Sequence, residues 1–242
     1  MSGPAGEKLY EGKAKILYTT ENPDVLLTRF KDDATAFNAL KKGTIRGKGE
    51  INNAISAHLF KVMEANGVPT HFVDLPTPTD MLVKAVTIVP LEVVVRNIAA
   101  GSLCKQTGLE LGTPVNPPLV EFYLKDDSLG DPLLTDDRIR LINVATEAEV
   151  ATLRSMALRI NELLIAFFDQ CGITLVDFKL EFGRDKTGAI LLADEISPDT
   201  CRLWKQGELD PQKRVLDKDR FRQDMGDVEA GYQQVLERVL AH

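Results

Sequence analysis

Cysteine and histidine are scarce in this chain, and long apolar runs are missing. Cys104, Cys171 and Cys201 are odd in number and far apart, with no Cys-x-x-Cys spacing. That argues against a disulfide framework or a thiolate zinc site and makes reduced thiols the expectation. His58, His71 and the terminal His242 offer neither metal-ligand spacing nor a Ser-His-Asp set. The longest apolar stretch, residues 85–95, is interrupted by Pro90 and Glu92, and residues 1–8 contain no apolar segment. Neither a membrane span nor a signal peptide is expected, and a cytoplasmic location follows. The net charge of -7 argues against a general nucleic-acid binder, although local basic clusters can still hold small anions. There is also no Walker A pattern, no Gly-x-Gly-x-x-Gly and no His-Arg-Asp catalytic loop.

What is present suits a well-cored enzyme. At 242 residues and 44% hydrophobic content, the chain fits one large domain or two small ones. Residues 9–18 read as strand, glycine-containing turn and strand, and residues 25–30 as a third strand after Asn22-Pro23. Ile51, Ala54, Ile55, Leu59, Val62 and Met63 recur at helical spacing, with Asn66-Gly67 as a stop. Residues 71–74, 81–86 and 91–96 read as further strands. A boundary near residues 84–90 divides the chain into 1–86 and 87–242. Asn116-Pro117-Pro118 is expected to break the chain before the apolar run 119–124. Thr146-Glu147-Ala148-Glu149 is a capping box, and Val150, Leu153, Ala157, Ile160, Leu164, Phe167 and Cys171 continue one apolar stripe to Gly172. Helical segments from about residue 218 close the chain. Strands and helices are segregated more than alternated, so the fold class is α+β.

The densest chemistry lies at residues 176–199. Val176, Phe178, Leu180 and Phe182 alternate with Asp177, Lys179 and Glu181, which puts three charges on one face of a strand. Residues 183–188 read as a turn and residues 189–193 as a returning strand. Regular pairing would set Asp194 opposite Asp177 and on the face of Glu181. Carboxylates so gathered repel one another unless a cation sits between them, and magnesium held by one or two carboxylates and nucleotide phosphates would suit. A solvated sheet face with ordinary ion pairs is the alternative. Gly12-Lys13-Ala14-Lys15 forms a tight basic turn, and Arg46-Gly47-Lys48-Gly49 precedes a helix, so both could offer amides and charge to an anion. Arg96 stands before Ala99-Ala100-Gly101-Ser102, a combination suited to a phosphate monoester. Arg202 and the segment 217–222 add further charge.

Together these segments resemble the phosphoribosylaminoimidazole-succinocarboxamide synthase (SAICAR synthetase) family. The resemblance rests on Tyr10-Glu11-Gly12-Lys13-Ala14-Lys15, Val94-Val95-Arg96-Asn97 with Ala100-Gly101-Ser102, residues 177–183, Asp194-Glu195-Ile196-Ser197-Pro198-Asp199 and Asp217-Lys218-Asp219-Arg220-Phe221-Arg222. It runs in one order from about residue 8 to the C-terminus. It implies ATP- and magnesium-dependent joining of the carboxylate of carboxyaminoimidazole ribonucleotide (CAIR) to the amine of L-aspartate. It also implies two lobes, the first an antiparallel sheet like the small lobe of protein kinases, and a homodimer. By motif position, Gly12, Lys13, Ala14 and Lys15 would lie over the ATP phosphates, with Lys84 and Lys179 by the nucleotide. Glu181 and Asp194 would hold magnesium. Arg96, Gly101, Ser102 and Arg202 would serve the CAIR phosphate, and Asp177 and Asp199 would face the CAIR ring, ribose or its metal. Lys218 and Arg222 would receive the aspartate carboxylates, with Lys125 and Asp131 as further site residues. A kinase-like phosphotransferase and a non-catalytic nucleotide-binding module are the other readings.

Overall fold

Period-two alternation builds two antiparallel sheets, and helices cover their apolar sides. The structure is a computed structural model that describes residues 6–36 and 40–242. The sequence reading of the extreme N-terminus, over residues 1–5, lies outside the described residues. The first sheet is formed by β1 (Lys8–Glu11), β2 (Lys15–Thr19), β3 (Val25–Phe30), β6 (Phe72–Asp74) and β7 (Asp80–Lys84), in the order β1-β2-β3-β7-β6. Between β3 and β6 lie a two-stranded pair, β4 (Asp33–Ala36) with β5 (Lys41–Thr44), and helix α1 (Lys48–Ala65). Ile51, Ile55, Leu59 and Met63 are buried along one face of α1, as their spacing requires. Its first turn has no side-chain cap of its own. Instead Asp32 accepts hydrogen bonds from the amides of Gly47 (3.0 Å) and Gly49 (2.9 Å). The anion that this loop attracts is therefore internal, which corrects the reading of Arg46-Gly47-Lys48-Gly49 as a ligand loop.

The second sheet begins with β8 (Thr87–Ile98), followed by α2 (Ser102–Thr107), β9 (Pro114–Leu124), β10 (Leu133–Leu134) and α3 (Asp136–Ile142). Helix α4 (Glu147–Gln170) then leads into β11 (Ile173–Arg184), β12 (Ile190–Ala193) and β13 (Cys201–Lys205), before α5 (Pro211–Arg214), α6 (Asp219–Arg222) and α7 (Val228–Leu240). The strand order is β10-β9-β8-β11-β12, with β13 also paired to β11. Pro117 and Pro118 do not stop β9, which corrects that expectation. The two-residue β10 meets only Phe122 and Tyr123, so the proline-bearing half of β9 is an edge where a missing N–H costs no ladder bond. One apolar core spans both sheets, from Phe60 and Met81 to Phe122, Phe178 and Leu203.

Helix α4 shows its sequence signals most fully. Thr146 and Glu149 form the reciprocal cap, and the Val150 to Phe167 stripe packs into the core. Glu149 also accepts from Arg184 at 2.5 Å. That hydrogen bond, with the Thr146 amide, lowers the Glu149 carboxyl to about 2. Because the folded state favours the ionised form, this contribution is full above the ordinary value of 4.5 and is lost as pH falls towards 2. Glu149→Gln is expected to melt below the parent at neutral pH, with the gap narrowing in melts from pH 5 to pH 2. A gap independent of pH would refute the assignment.

Candidate active site

Strand β11 carries the site. Its even-numbered residues Val176, Phe178, Leu180 and Phe182 are buried in the core, while Asp177, Lys179 and Glu181 line a cleft of about 950 Å³ that residues of both sheets enclose. Glu181 lies opposite Glu92 of β8, and two like charges in register repel. Lys179 resolves this: its Nζ lies 2.9 Å from Glu92 Oε1, 2.7 Å from Glu181 Oε1 and 3.8 Å from Asp194 Oδ2. Lys125 also pairs with Glu181, while Lys15 pairs with Asp194 and lies 2.9 Å from Glu195 Oε1. Four carboxylates thus meet three ammonium groups. Burial opposes charge on Asp194, yet Lys15, Lys179 and Lys125 hold it well below the carboxylate range. Burial likewise opposes charge on Lys179, but Glu181, Asp194 and Glu92 raise it far above its ordinary value.

Asp194 reaches this cluster by a different path from the one its spacing suggested. The hairpin pairs Glu181 with Ala193 and Arg184 with Ile190, so Asp194 is not opposite Asp177. Strand β11 runs on to Arg184, and Asp185 accepts from the amides of Thr187 and Ala189, so the turn occupies residues 185–189 instead of 183–188 and each partner shifts by three residues. The chain then leaves the ladder at Asp194 with φ of 61°. Asp177 faces two arginines instead, Arg96 of β8 at 3.1 Å and Arg202 of β13 at 2.7 Å.

These arginines mark the other end of the cleft. Arg96 is held by Glu121 (2.6 Å) and Asp177, and donates to Ser102 Oγ (3.0 Å) and Tyr123 Oη (3.1 Å). Arg202 also donates to Asp219 at 2.8 Å, and Asp219 accepts from Arg222 at 2.7 Å. Gly101, with φ of 55°, packs so closely on Arg202 that a Cβ would stand 2.3 Å from Nη2. Only glycine allows that approach. Burial raises the Asp177 carboxyl in spite of Arg202 and Arg96. Asp199 accepts from Lys48 (2.9 Å) and Tyr232 (2.5 Å).

The SAICAR synthetase family profile matches residues 8–239. The chain belongs to the SAICAR synthetase family. It is 66% identical over 236 residues to the phosphoribosylaminoimidazole-succinocarboxamide synthase of Acaryochloris marina, covering 98% of this chain and 96% of that one. With the Synechocystis sp. enzyme of the same name it shares 68% identity over 235 residues, 97% of this chain and 89% of that one. Among solved structures, the synthase from Ehrlichia chaffeensis is 44% identical with a TM-score of 0.93, covering 98% of this chain and 99% of that one. A SAICAR synthetase in complex with ADP is also 44% identical, with a TM-score of 0.91 and coverage of 96% and 97%. The activity is the family's, an ATP-dependent, amide-forming ligation in purine synthesis that joins CAIR to L-aspartate and yields SAICAR, ADP and phosphate.

The cleft of this family member brings together nearly every residue that its motifs single out. Gly12, Lys13, Ala14, Lys15, Lys84, Arg96, Ser102, Lys125, Asp131, Asp177, Lys179, Glu181, Asp194, Asp199, Arg202, Lys218 and Arg222 all line it. Gly101 lies behind Arg202. Lys13 pairs with Asp127, Lys84 donates to Thr70 O at 3.0 Å, and Asp131 accepts from the Asp126 amide. Sequence reasoning gave no role to Glu92, Glu121, Tyr123, Glu195, Asp219 and Tyr232, and it placed Lys48 only in a loop that could meet an anion. Glu92 did carry a signal, as the one charge in the apolar run 85–95. Tyr232 carried none, since its spacing on α7 is that of a core residue and its ring is buried.

Proposed function

We propose that ligation proceeds through an acyl phosphate of CAIR, with the lysine–carboxylate end of the cleft holding ATP and the arginine end holding CAIR. A carboxylate is a poor electrophile. Phosphorylation gives it a leaving group, and the amine of L-aspartate then forms the amide. Phosphoryl transfer asks for positioning and charge neutralisation more than for a covalent group from the protein. Gly12, Lys13, Ala14 and Lys15 lie over the phosphates, Lys84 is beside the nucleotide, and Lys179 and Lys125 turn to phosphate or acyl oxygens. Arg96, Ser102 and Arg202 take the CAIR phosphate, with Asp177 orienting both arginines and Asp131 at the cleft mouth. Asp199 faces the CAIR ring or ribose. Lys218 and Arg222 receive the aspartate carboxylates.

Magnesium fits Glu181 and Asp194. Both carboxylates point at the shared Lys179, and the excess of one carboxylate over the local ammonium groups leaves room for a further cation. Among the described residues no cluster of three or more His, Cys, Asp or Glu is arranged to hold a metal. Magnesium is suited to such a site, taking one or two carboxylates and completing its shell with phosphates and water. When bound, it neutralises charge on the transferred phosphoryl group. The unit 1–86 contributes the phosphate loop and 87–242 the metal and substrate side chains. A homodimer in the cytoplasm completes this reading. Among the described residues no helix is long and apolar enough to cross a membrane.

The observation that carries the reading is the shared strand. Asp177 and Glu181 stand four residues apart on one face of β11, roughly 13 Å at strand rise, enough to separate a phosphate monoester from a reacting carboxylate. The test is ADP release with magnesium-ATP, CAIR and L-aspartate, omitting each in turn. Isotope scrambling within ATP that needs CAIR but not L-aspartate supports the acyl phosphate. Its absence while CAIR still binds overturns that order. ADP release without CAIR would overturn the assignment of the arginine end.

A further inference from the structure

Lys48 and Tyr232 meet at Asp199 from helices at opposite ends of the sequence. Lys48 opens α1, and its side chain is 1% exposed. Its Nζ donates to Asp199 Oδ2 at 2.9 Å, while the hydroxyl of Tyr232, on α7, donates to Oδ1 at 2.5 Å. Both carboxylate oxygens thus have donors, and the charge of Asp199 is matched by that of Lys48. Lys218 is a looser ion partner of Asp199, 3.6 Å from Oδ2 and outside hydrogen-bond distance, and its Nζ has no hydrogen bond among the described residues. It lines the cleft.

We propose that Lys48 and Tyr232 are positioning residues that engage both oxygens of Asp199 and so leave the Lys218 ammonium available for a carboxylate of L-aspartate. This rests on the assignment of Lys218 to L-aspartate given above. A buried carboxylate stripped of one partner recruits the next cation in reach, because an uncompensated buried charge is costly. Lys48 removes that demand. Tyr232 fixes the second oxygen, so Asp199 does not rotate towards Lys218. Other charged groups around Lys218 are Arg222 of α6 and Glu195 of the β12–β13 loop. Burial, then Arg222 and Lys48, hold the Lys218 ammonium below its ordinary range against Asp199, so an arriving anion relieves a disfavoured charge.

Steady-state kinetics of Lys48→Met, Tyr232→Phe and Lys218→Met test this, each variant checked by circular dichroism and melting. Lys218→Met is expected to raise the KM for L-aspartate at least tenfold. Lys48→Met should do the same, and Tyr232→Phe should raise it severalfold. In all three the KM for ATP should stay within twofold. A merely structural role would lower kcat or folded fraction without that selectivity. If Lys218→Met leaves the KM for L-aspartate unchanged, the Lys218 assignment itself fails. If Lys218→Met raises it but folded Tyr232→Phe and Lys48→Met do not, the assignment stands and the positioning role is overturned.

Discussion

Glu181→Gln and Asp194→Asn are each expected to lower kcat by roughly 100-fold or more, the scale of losing one preorganised electrostatic contact in an active site. The fold should survive. Each change is close to isosteric, and Lys179 keeps two of its three carboxylates in either variant. The magnesium dependence should separate the two ends of the cleft, with half-saturating magnesium rising in both variants while the KM for CAIR changes much less. The measurement is ADP release over a magnesium titration, beside a melting curve. Full activity with unchanged magnesium dependence would remove these carboxylates from the metal site.

Arg96 should give the second large effect, and there binding and stability are entangled. Its side chain is 4% exposed and faces Glu121 and Asp177. Arg96→Ala would leave two buried carboxylates short of a partner, a loss of about 3–5 kcal/mol by analogy with broken buried pairs. A rise in the KM for CAIR would then be confounded by partial unfolding. Arg96→Lys separates the two. It keeps the charge, but an ammonium cannot reproduce the forked contacts to Glu121, Asp177, Ser102 and Tyr123. A KM for CAIR raised about tenfold or more, with the KM for ATP little changed and most of the stability retained, is the expected pattern. An unchanged KM for CAIR in Arg96→Lys would show that the phosphate is received elsewhere.

Much of this was legible because it is local. Alternation over residues 176–182 and the capping box at Thr146 each need only a few neighbours to express themselves, and both appear where their patterns place them. The hairpin register was not legible. It turned on β11 running on to Arg184 before Asp185 folds back onto two amides, and moving a turn along the chain changes every partner. Nor was the role of Asp32 in capping α1, since the carboxylate comes from a separate segment. Lys48 and Tyr232 mark the limit most clearly. One looked like loop charge and the other like core, and only tertiary packing brings both to Asp199.

Strand β11 has a consequence for how this gene can change. Its two faces differ in kind, with Leu180 and Phe182 in the core on one, Asp177, Lys179 and Glu181 on the other, and Phe178 buried in the core yet touching the cleft. Point substitutions can retune either face separately. An in-frame loss or gain of a single codon between 177 and 181 exchanges the faces beyond it, driving charge into the core and phenylalanine into the cleft. Variation in length along this stretch is therefore closed to the lineage, and indels should be confined to the exposed turn near Lys186.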